Sequence, residues 1–317
     1  MSITEQGLLE RDKDTMTLNM GPQHPSTHGV FRVVLEMDGE VVPSTGPDIG
    51  FLHTGIEKTG ENKRYVHCIP MTDRLDYLNP PQNNLAFCLT VEKLLELDEL
   101  PPRADYLRVI MCELGRIGSH LIWLGTHALD IGAMTVFLYC WREREAILDL
   151  NEMISGVRMM TSYIRIGGVA KDCFPEWLQK VREFVNDFPE KVDEYESLLT
   201  HNPIWLDRTQ HVGVMSAEEA MNWSMSGPIL RASGLGFDWR KQRPYSRYNE
   251  FDFKVPTGAN GDIYDRYRVR VEEMRQSREI VKQALDNFPT GPYKLPDNKV
   301  SLPDRDTLHT SMESLIH

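Results

Sequence analysis

The chain has 317 residues, of which 41% are apolar and 26% charged, with a formal net charge of −12. That length and balance describe a globular protein with room for a substantial core, in one large domain or two ordinary ones. The acidic excess argues against nucleic acid as a partner, which wants clustered Lys and Arg, and against direct docking on an anionic membrane surface.

Residues 1–14 carry neither a basic segment leading into an apolar run nor an Arg-rich transit pattern, and are expected to be an N-terminal extension. Residues 15–50 are expected to form an antiparallel β unit. Its first two strand-like segments flank Gly21-Pro22-Gln23-His24-Pro25-Ser26-Thr27-His28-Gly29, where Gly and Pro force sharp turns and present His28 on a stiff loop. Asp38-Gly39 is a hairpin turn signal, and Val41-Val42 resumes the strand.

Residues 51–317 are expected to be a helical-bundle domain. The pattern turns helical over 55–64, and Pro70, Pro80 and Pro81 are read as breakers around 72–78. A helix follows over 83–97, and Pro102 then fits the first turn of the next. That helix runs from about Ala104, with Leu107, Ile110, Met111, Leu114, Ile117 and Leu121 on one face and Gly115, Gly118 and Ser119 on a small-residue side. The longest apolar stretch, 121–141, contains His127 and Asp130 and runs into Arg142-Glu143-Arg144-Glu145. A charge within a lipid-facing helix is expensive, so this stretch reads as the buried centre of a bundle. Further helical patterns cover 142–156, 177–188 and 263–285. A short turn and helix is expected over 207–220, and an irregular, functional or partner-binding loop over 226–261. The fold class is α+β: a small N-terminal antiparallel β unit on a helical bundle.

The five cysteines, Cys68, Cys88, Cys112, Cys140 and Cys173, form no Cys-x-x-Cys pair. No zinc or iron–sulfur ligand set is signalled, and reduced thiols are expected. Gly167-Gly168 lacks the rest of a dinucleotide fingerprint, so the chain itself is not expected to bind NAD. His24 and His28, four apart across Pro25, do not sit on a helix as a metal pair would. His120 and His127 share one helix face with Asp130 nearby. A ligand cluster is one reading and a buried set of mutually hydrogen-bonded polar groups the other. Arg74-Leu75-Asp76-Tyr77 puts a cation, a carboxylate and a phenol beside a Pro-rich turn. Either Arg74 and Asp76 make a local ion pair with Tyr77 on the core, or Tyr77 offers its O–H to a ligand.

Seven segments taken together resemble one family. They are 20–29 (Met-Gly-Pro-Gln-His-Pro-Ser-Thr-His-Gly), 50–58 (Gly-Phe-Leu-His-Thr-Gly-Ile-Glu-Lys), Arg74-Leu75-Asp76-Tyr77-Leu78, 137–145, Tyr163-Ile164-Arg165-Ile166-Gly167-Gly168-Val169, Arg231-Ala232-Ser233-Gly234 and Asp265-Arg266-Tyr267. From about Thr15 to His317 the chain is similar to the 49-kilodalton subunit family of respiratory complex I, the proton-pumping NADH:quinone oxidoreductase. That family is related to the nickel–iron hydrogenase large subunit.

The resemblance implies a hydrogenase-type bundle whose former metal pocket heads a quinone chamber, shared with a small iron–sulfur subunit that carries the terminal cluster. It implies His28, Tyr77 and Asp130 as catalytic residues. His28 and Tyr77 would bind the quinone headgroup, Asp130 would pair with His28, and Arg74 would lie near the partner's cluster. No metal or cofactor is implied in this chain; FMN and iron–sulfur clusters would be held by partners. The partners implied are the other peripheral-arm subunits and the membrane arm of complex I. The location implied is peripheral, on the cytoplasmic side of a bacterial plasma membrane. Met160 and Thr161 stand where many relatives carry a His near the cluster, which gives menaquinone weight beside ubiquinone. The family's C-terminal segment is expected to be absent here. A related quinone reductase fed by ferredoxin is the alternative, and an interaction scaffold with a dead site would have lost His28, Tyr77 or Asp130.

Overall fold

The structure, a computed structural model, describes residues 15–97 and 99–317, so the extension expected over 1–14 lies outside the described residues. Two units are distinguished, one ending at Asn62 and the other running from Lys63 to His317.

In the first unit, β1 (Met16–Met20), β2 (Arg32–Asp38) and β3 (Val41–Asp48) form an antiparallel sheet in the order β1-β2-β3. The register sets Met16, Leu18 and Met20 opposite Met37, Leu35 and Val33. Side chains alternate along a strand, so these six share one face while Thr17, Asn19, Val34 and Glu36 take the other. The hairpin turns at Gly39, whose φ of 61° suits a residue without a Cβ. The short α1 (Ile56–Glu61) follows.

The second unit holds α2 (Tyr65–Thr72), α3 (Pro80–Leu94), α4 (Pro102–Asp130) and α5 (Met134–Ser155). A two-stranded hairpin, β4 (Ile164–Arg165) with β5 (Gly168–Val169), leads to α6 (Pro175–Leu199). Then come α7 (Pro203–Thr209), α8 (Ala217–Asn222), α9 (Gly227–Ala232), α10 (Trp239–Gln242), α11 (Ile263–Asp286) and α12 (Met312–Ile316). α4 is the central helix: α3, α5, α11 and β5 all pack on it, and α6 packs on α5 and α11. The apolar face expected on α4 is buried from Leu107 through Leu121. Each such leucine or isoleucine contributes about 2 kcal/mol of transfer free energy. The small residues do what their size permits. A Cβ on Gly125 would stand 3.4 Å from the Phe137 Cα, and one on Gly118 would meet Ile147, so α5 lies close against α4.

Several boundaries differ from the expectation. The 121–141 stretch is not one run: α4 stops at Asp130, the chain turns through Gly132 at φ 103°, and α5 begins at Met134. Pro70 lies inside α2 rather than ending it, because a proline near the end of so short a helix deletes a single hydrogen bond. Pro80 and Pro81 open α3 instead of breaking the chain before it, since the first helical turn needs no N–H donors. The expected helix over 207–220 is two short ones, α7 and α8, and the 226–261 loop includes α9 and α10. No helix among the described residues is long and apolar enough to cross a membrane.

α4 is buried almost all round over Ala104–Leu114, so its polar residues must be met inside the protein. Arg108, wholly buried, donates to the Glu92 carboxylate, with Nη2 2.5 Å from Oε1, and to the Arg165 and Gly168 carbonyls. Glu113, wholly buried, accepts from Arg240 Nη1 at 3.1 Å, Arg116 Nε at 3.1 Å and the Tyr248 hydroxyl at 2.6 Å. Two turns on, His120 Nε2 meets Glu273 of α11 at 2.8 Å, and Arg231 donates to the same carboxylate.

Burial alone would raise the Glu113 carboxyl, but the Arg116 and Arg240 charges and the Tyr248 hydroxyl more than offset it and hold it down to about 2. A carboxyl lowered in the folded state contributes stability that is present above its unfolded value near 4.5 and is lost as pH falls towards 2. Denaturant unfolding followed across that range should show stability falling with acid. Glu113→Gln should lower stability at neutral pH and flatten that slope; an unchanged slope in the variant rules the assignment out.

Candidate functional site

His28 stands on the loop between β1 and β2. His24 accepts the Ser26 N–H on Nδ1 at 3.1 Å and so caps a one-turn 3-10 helix, Pro25–Thr27. Thr27, buried, donates its hydroxyl to the carbonyls of Pro22 at 3.2 Å and His24 at 3.1 Å. A Cβ on Gly21 would come within 2.2 Å of the Phe31 carbonyl, so the loop closes tightly at its base. His28 follows at φ 53°, left-handed backbone that costs a non-glycine residue about 1 kcal/mol, and its side chain is exposed. The first histidine therefore shapes the loop and the second is free on it, which answers the metal-pair reading of His24 and His28.

Arg74 and Tyr77 share the loop between α2 and α3, and that loop is anchored from beneath. Asp73 is wholly buried and accepts from Asn84 Nδ2 at 2.7 Å on one oxygen and from the Ser162 hydroxyl on the other. Thr72 donates its hydroxyl to the Asn84 carbonyl oxygen at 2.8 Å. Burial pushes the Asp73 carboxyl up, against the Ser162 and Asn84 hydrogen bonds and the Arg74 charge. Asp76 caps the outer turn: its Oδ1 accepts the Leu78 N–H at 3.1 Å and its carbonyl the Asn83 amide at 3.0 Å. The expected Arg74–Asp76 ion pair is not formed. Arg74 donates instead to the Pro70 carbonyl at 2.5 Å, with the rest of its side chain exposed.

Tyr77 is 49% exposed on this rigid support. It stands at the mouth of a narrow cleft that Gly118, Arg144, Ile147, Asn151 and Met159 also line. The cleft holds about 20 Å³, room for a single water. Arg144 lies over Trp141 at 5.2 Å and reaches Met159 Sδ at 3.9 Å. Burial lowers its pKa, only partly against the nearby Glu145.

Asp130 is exposed in the last position of α4 and, among the described residues, makes no hydrogen bond or ion pair through its side chain. It lies about 22 Å along the helix axis from Gly115, where Asn79 of the Tyr77 loop packs, so the larger unit does not bring Asp130 and Tyr77 together. The two helix histidines do not bond each other either. His120 is committed to Glu273, while His127 stacks on Trp123 at 5.2 Å. Among the described residues no group of three or more His, Cys, Asp or Glu is placed to hold a metal ion. The five cysteines are buried and unbridged, and burial pushes the Cys88 and Cys140 thiols up to about 12. Sequence reasoning missed the Asp73–Asn84–Ser162 support and Arg144. Thr72-Asp73 directly before the Arg-Leu-Asp-Tyr run was the available signal for the first; nothing in the spacing distinguishes Arg144 from the charges beside it.

The family model for the 49 Kd subunit of respiratory-chain NADH dehydrogenase matches residues 130–317. The chain is 57% identical over 301 residues to a D-type subunit of NADH-quinone oxidoreductase from Solibacter usitatus, spanning 95% of this chain and 73% of that one. It is 56% identical over 307 residues to the like-named protein of Chloroflexus aurantiacus, at 96% and 74% coverage. It is 51% identical over 304 residues to that of Geobacter sulfurreducens, at 96% and 78% coverage.

Asp73→Ala should leave the Asn84 amide and the Ser162 hydroxyl unpaired and cost about 2 kcal/mol. A urea unfolding midpoint equal to that of the parent would show that the loop does not lean on this carboxylate.

Proposed function

Since this chain belongs to the family of the 49-kilodalton subunit of respiratory-chain NADH dehydrogenase, we propose that it forms the quinone-headgroup site of a proton-translocating NADH:quinone oxidoreductase. The observation that carries this reading is Tyr77: a half-exposed phenol on a loop whose underside is locked by the buried Asp73–Asn84–Ser162 network. A donor fixed before its substrate arrives need not reorganise when charge develops.

A quinone takes two electrons and two protons, and its reduced ring is anionic until the protons come. Tyr77 donates its O–H to one carbonyl oxygen of the headgroup. By the family resemblance His28 is the donor to the other. By the same resemblance Asp130 is the residue that pairs with His28. Once His28 gives up its proton, Asp130 is left as an uncompensated carboxylate, and this change of field is what the proton-pumping arm responds to. Arg74, with most of its guanidinium free, adds positive charge near the terminal iron–sulfur cluster of the small partner subunit and raises its potential.

FMN and the iron–sulfur clusters are assigned to partner subunits. The whole is a membrane-associated, multi-subunit complex in which this chain belongs to the peripheral arm, on the cytoplasmic side of a bacterial membrane. Met160 and Thr161 supply no titratable group beside the cluster, which keeps menaquinone beside ubiquinone as the substrate.

In membranes carrying Tyr77→Phe, NADH-driven quinone reduction should fall by about 100-fold. NADH oxidation by a hydrophilic acceptor, tapped upstream, should be unaffected. If both activities persist, the headgroup is not at Tyr77. If neither is present in the parent, the chain serves another electron donor.

A further inference from the structure

We propose that the cavity between the β4–β5 hairpin and the 293–307 segment is a docking pocket for an acidic polypeptide segment supplied by a neighbouring subunit of the complex. This goes beyond the quinone reading and does not depend on His28, Tyr77 or Asp130.

The cavity holds about 580 Å³, a size that takes a cluster of side chains, and both of its walls belong to the larger unit. Those walls are fixed. Residues 293–295 run alongside the hairpin: the Val169 N–H donates to the Tyr293 carbonyl at 3.1 Å and the Leu295 N–H to the Gly167 carbonyl at 2.8 Å. A Cβ on Gly168 would stand 2.4 Å from the Tyr293 carbonyl oxygen, so the two walls meet backbone to backbone. The Ser301 hydroxyl ties the far wall to the Ile166 carbonyl at 3.3 Å. A pocket formed before its occupant arrives loses little freedom on binding.

Charge sets this pocket apart. The chain carries a net charge of −12, yet Arg165, Lys171, Lys294 and Arg305 line the cavity against Asp304 and Asp306. Lys294 and Asp304 neutralise each other at 2.6 Å, and the Tyr293 hydroxyl donates to Asp304 at 2.9 Å. Among the described residues Arg165, Lys171, Arg305 and Asp306 form no ion pair; the last three are exposed, and the Arg165 Nε is buried without a hydrogen-bond partner. Three unpaired cations therefore stand against one unpaired carboxylate. Ile69 of α2, Val169 and Leu302 add an apolar lining. A bare inorganic anion would meet the cations and leave that lining wet. A lipid has both characters, but the acidic excess of the chain works against an anionic membrane surface. A segment with Asp or Glu beside an apolar residue suits both linings, because guanidinium and ammonium groups bind carboxylates through charge-assisted hydrogen bonds. The family to which the chain belongs works as a subunit, so other polypeptides lie against it.

The test uses the assembled complex in membranes. A carbodiimide, which joins an amine to a carboxylate in direct contact, should couple Lys171 to an Asp or Glu of another subunit, identified by mass spectrometry of the cross-linked peptides. Lys171→Arg keeps the charge but cannot couple, and should assemble as the parent does without that cross-link. Lys171→Glu combined with Arg305→Glu should lower the amount of this chain recovered with the complex about tenfold. Both side chains are exposed, so the fold does not lean on them. Coupling of Lys171 to carboxylates of its own chain alone, or to none, overturns the inference, as does parental assembly of the double variant. If that fully assembled double variant has lost an anionic phospholipid that the parent retains, the pocket is a lipid site instead. Tyr77→Phe is carried in parallel and should assemble fully. Quinone reduction lost at full assembly bears on the headgroup site, and assembly lost in the double variant bears on this pocket, so either reading can fail alone.

Discussion

The central constraint on the larger unit is that α4 lies inside it while carrying Asp105, Arg108, Glu113, Arg116 and His120. An unpaired charge at such a depth costs several kcal/mol, so each must find an opposite charge or a set of donors at the moment the helix packs. Glu92 from α3 meets Arg108, Arg240 from α10 meets Glu113, and Glu273 from α11 meets His120. Apolar contacts make α4 central. The charges decide which residue of each neighbouring helix stands where, since a shift by one turn would leave both partners bare.

That fixed frame is what makes the exposed groups usable. The loop bearing Arg74 and Tyr77 is bonded to α3 through Asn84, to the 156–163 segment through Ser162, and against α4 where Asn79 faces Gly115. The loop around His28 follows the same pattern at smaller scale. His24 and Thr27 spend their polar atoms on the backbone of the loop, while the His28 side chain is exposed. In both places the neighbours of the exposed side chain are held by hydrogen bonds. This is the arrangement that binding energy for a transition state requires.

Much of this could be read from the chain. Periodicity located α4, α6 and α11 because each buries a stripe of large apolar residues. Asp38-Gly39 located the hairpin because a two-residue turn needs a residue at positive φ. What failed was punctuation. Proline was read as a breaker at 70, 80 and 81, where the chain uses it within the last turn of one helix and the first turn of the next. The turn at Gly132 was hidden because apolar residues run through it on both sides. At the site, the family resemblance implied His28, Tyr77 and Asp130, while residue types alone left an ordinary structural reading open for each. The buried Asp73, Asn84 and Ser162 that hold the Tyr77 loop come from three separate stretches, and no local pattern links them.

The reciprocal pairing on α4 also governs how this sequence can drift. Leu107 or Ile117 can exchange for another aliphatic residue of similar volume, with neighbours adjusting by small rotamer changes. Glu113 has no such freedom: Arg116, Arg240 and Tyr248 all converge on its carboxylate, and residues 127 and 135 positions away in sequence must change with it. Over evolutionary time the apolar stripe is therefore free to wander one position at a time. The charged seam, by contrast, can be exchanged without leaving a buried charge bare only if its partners change together.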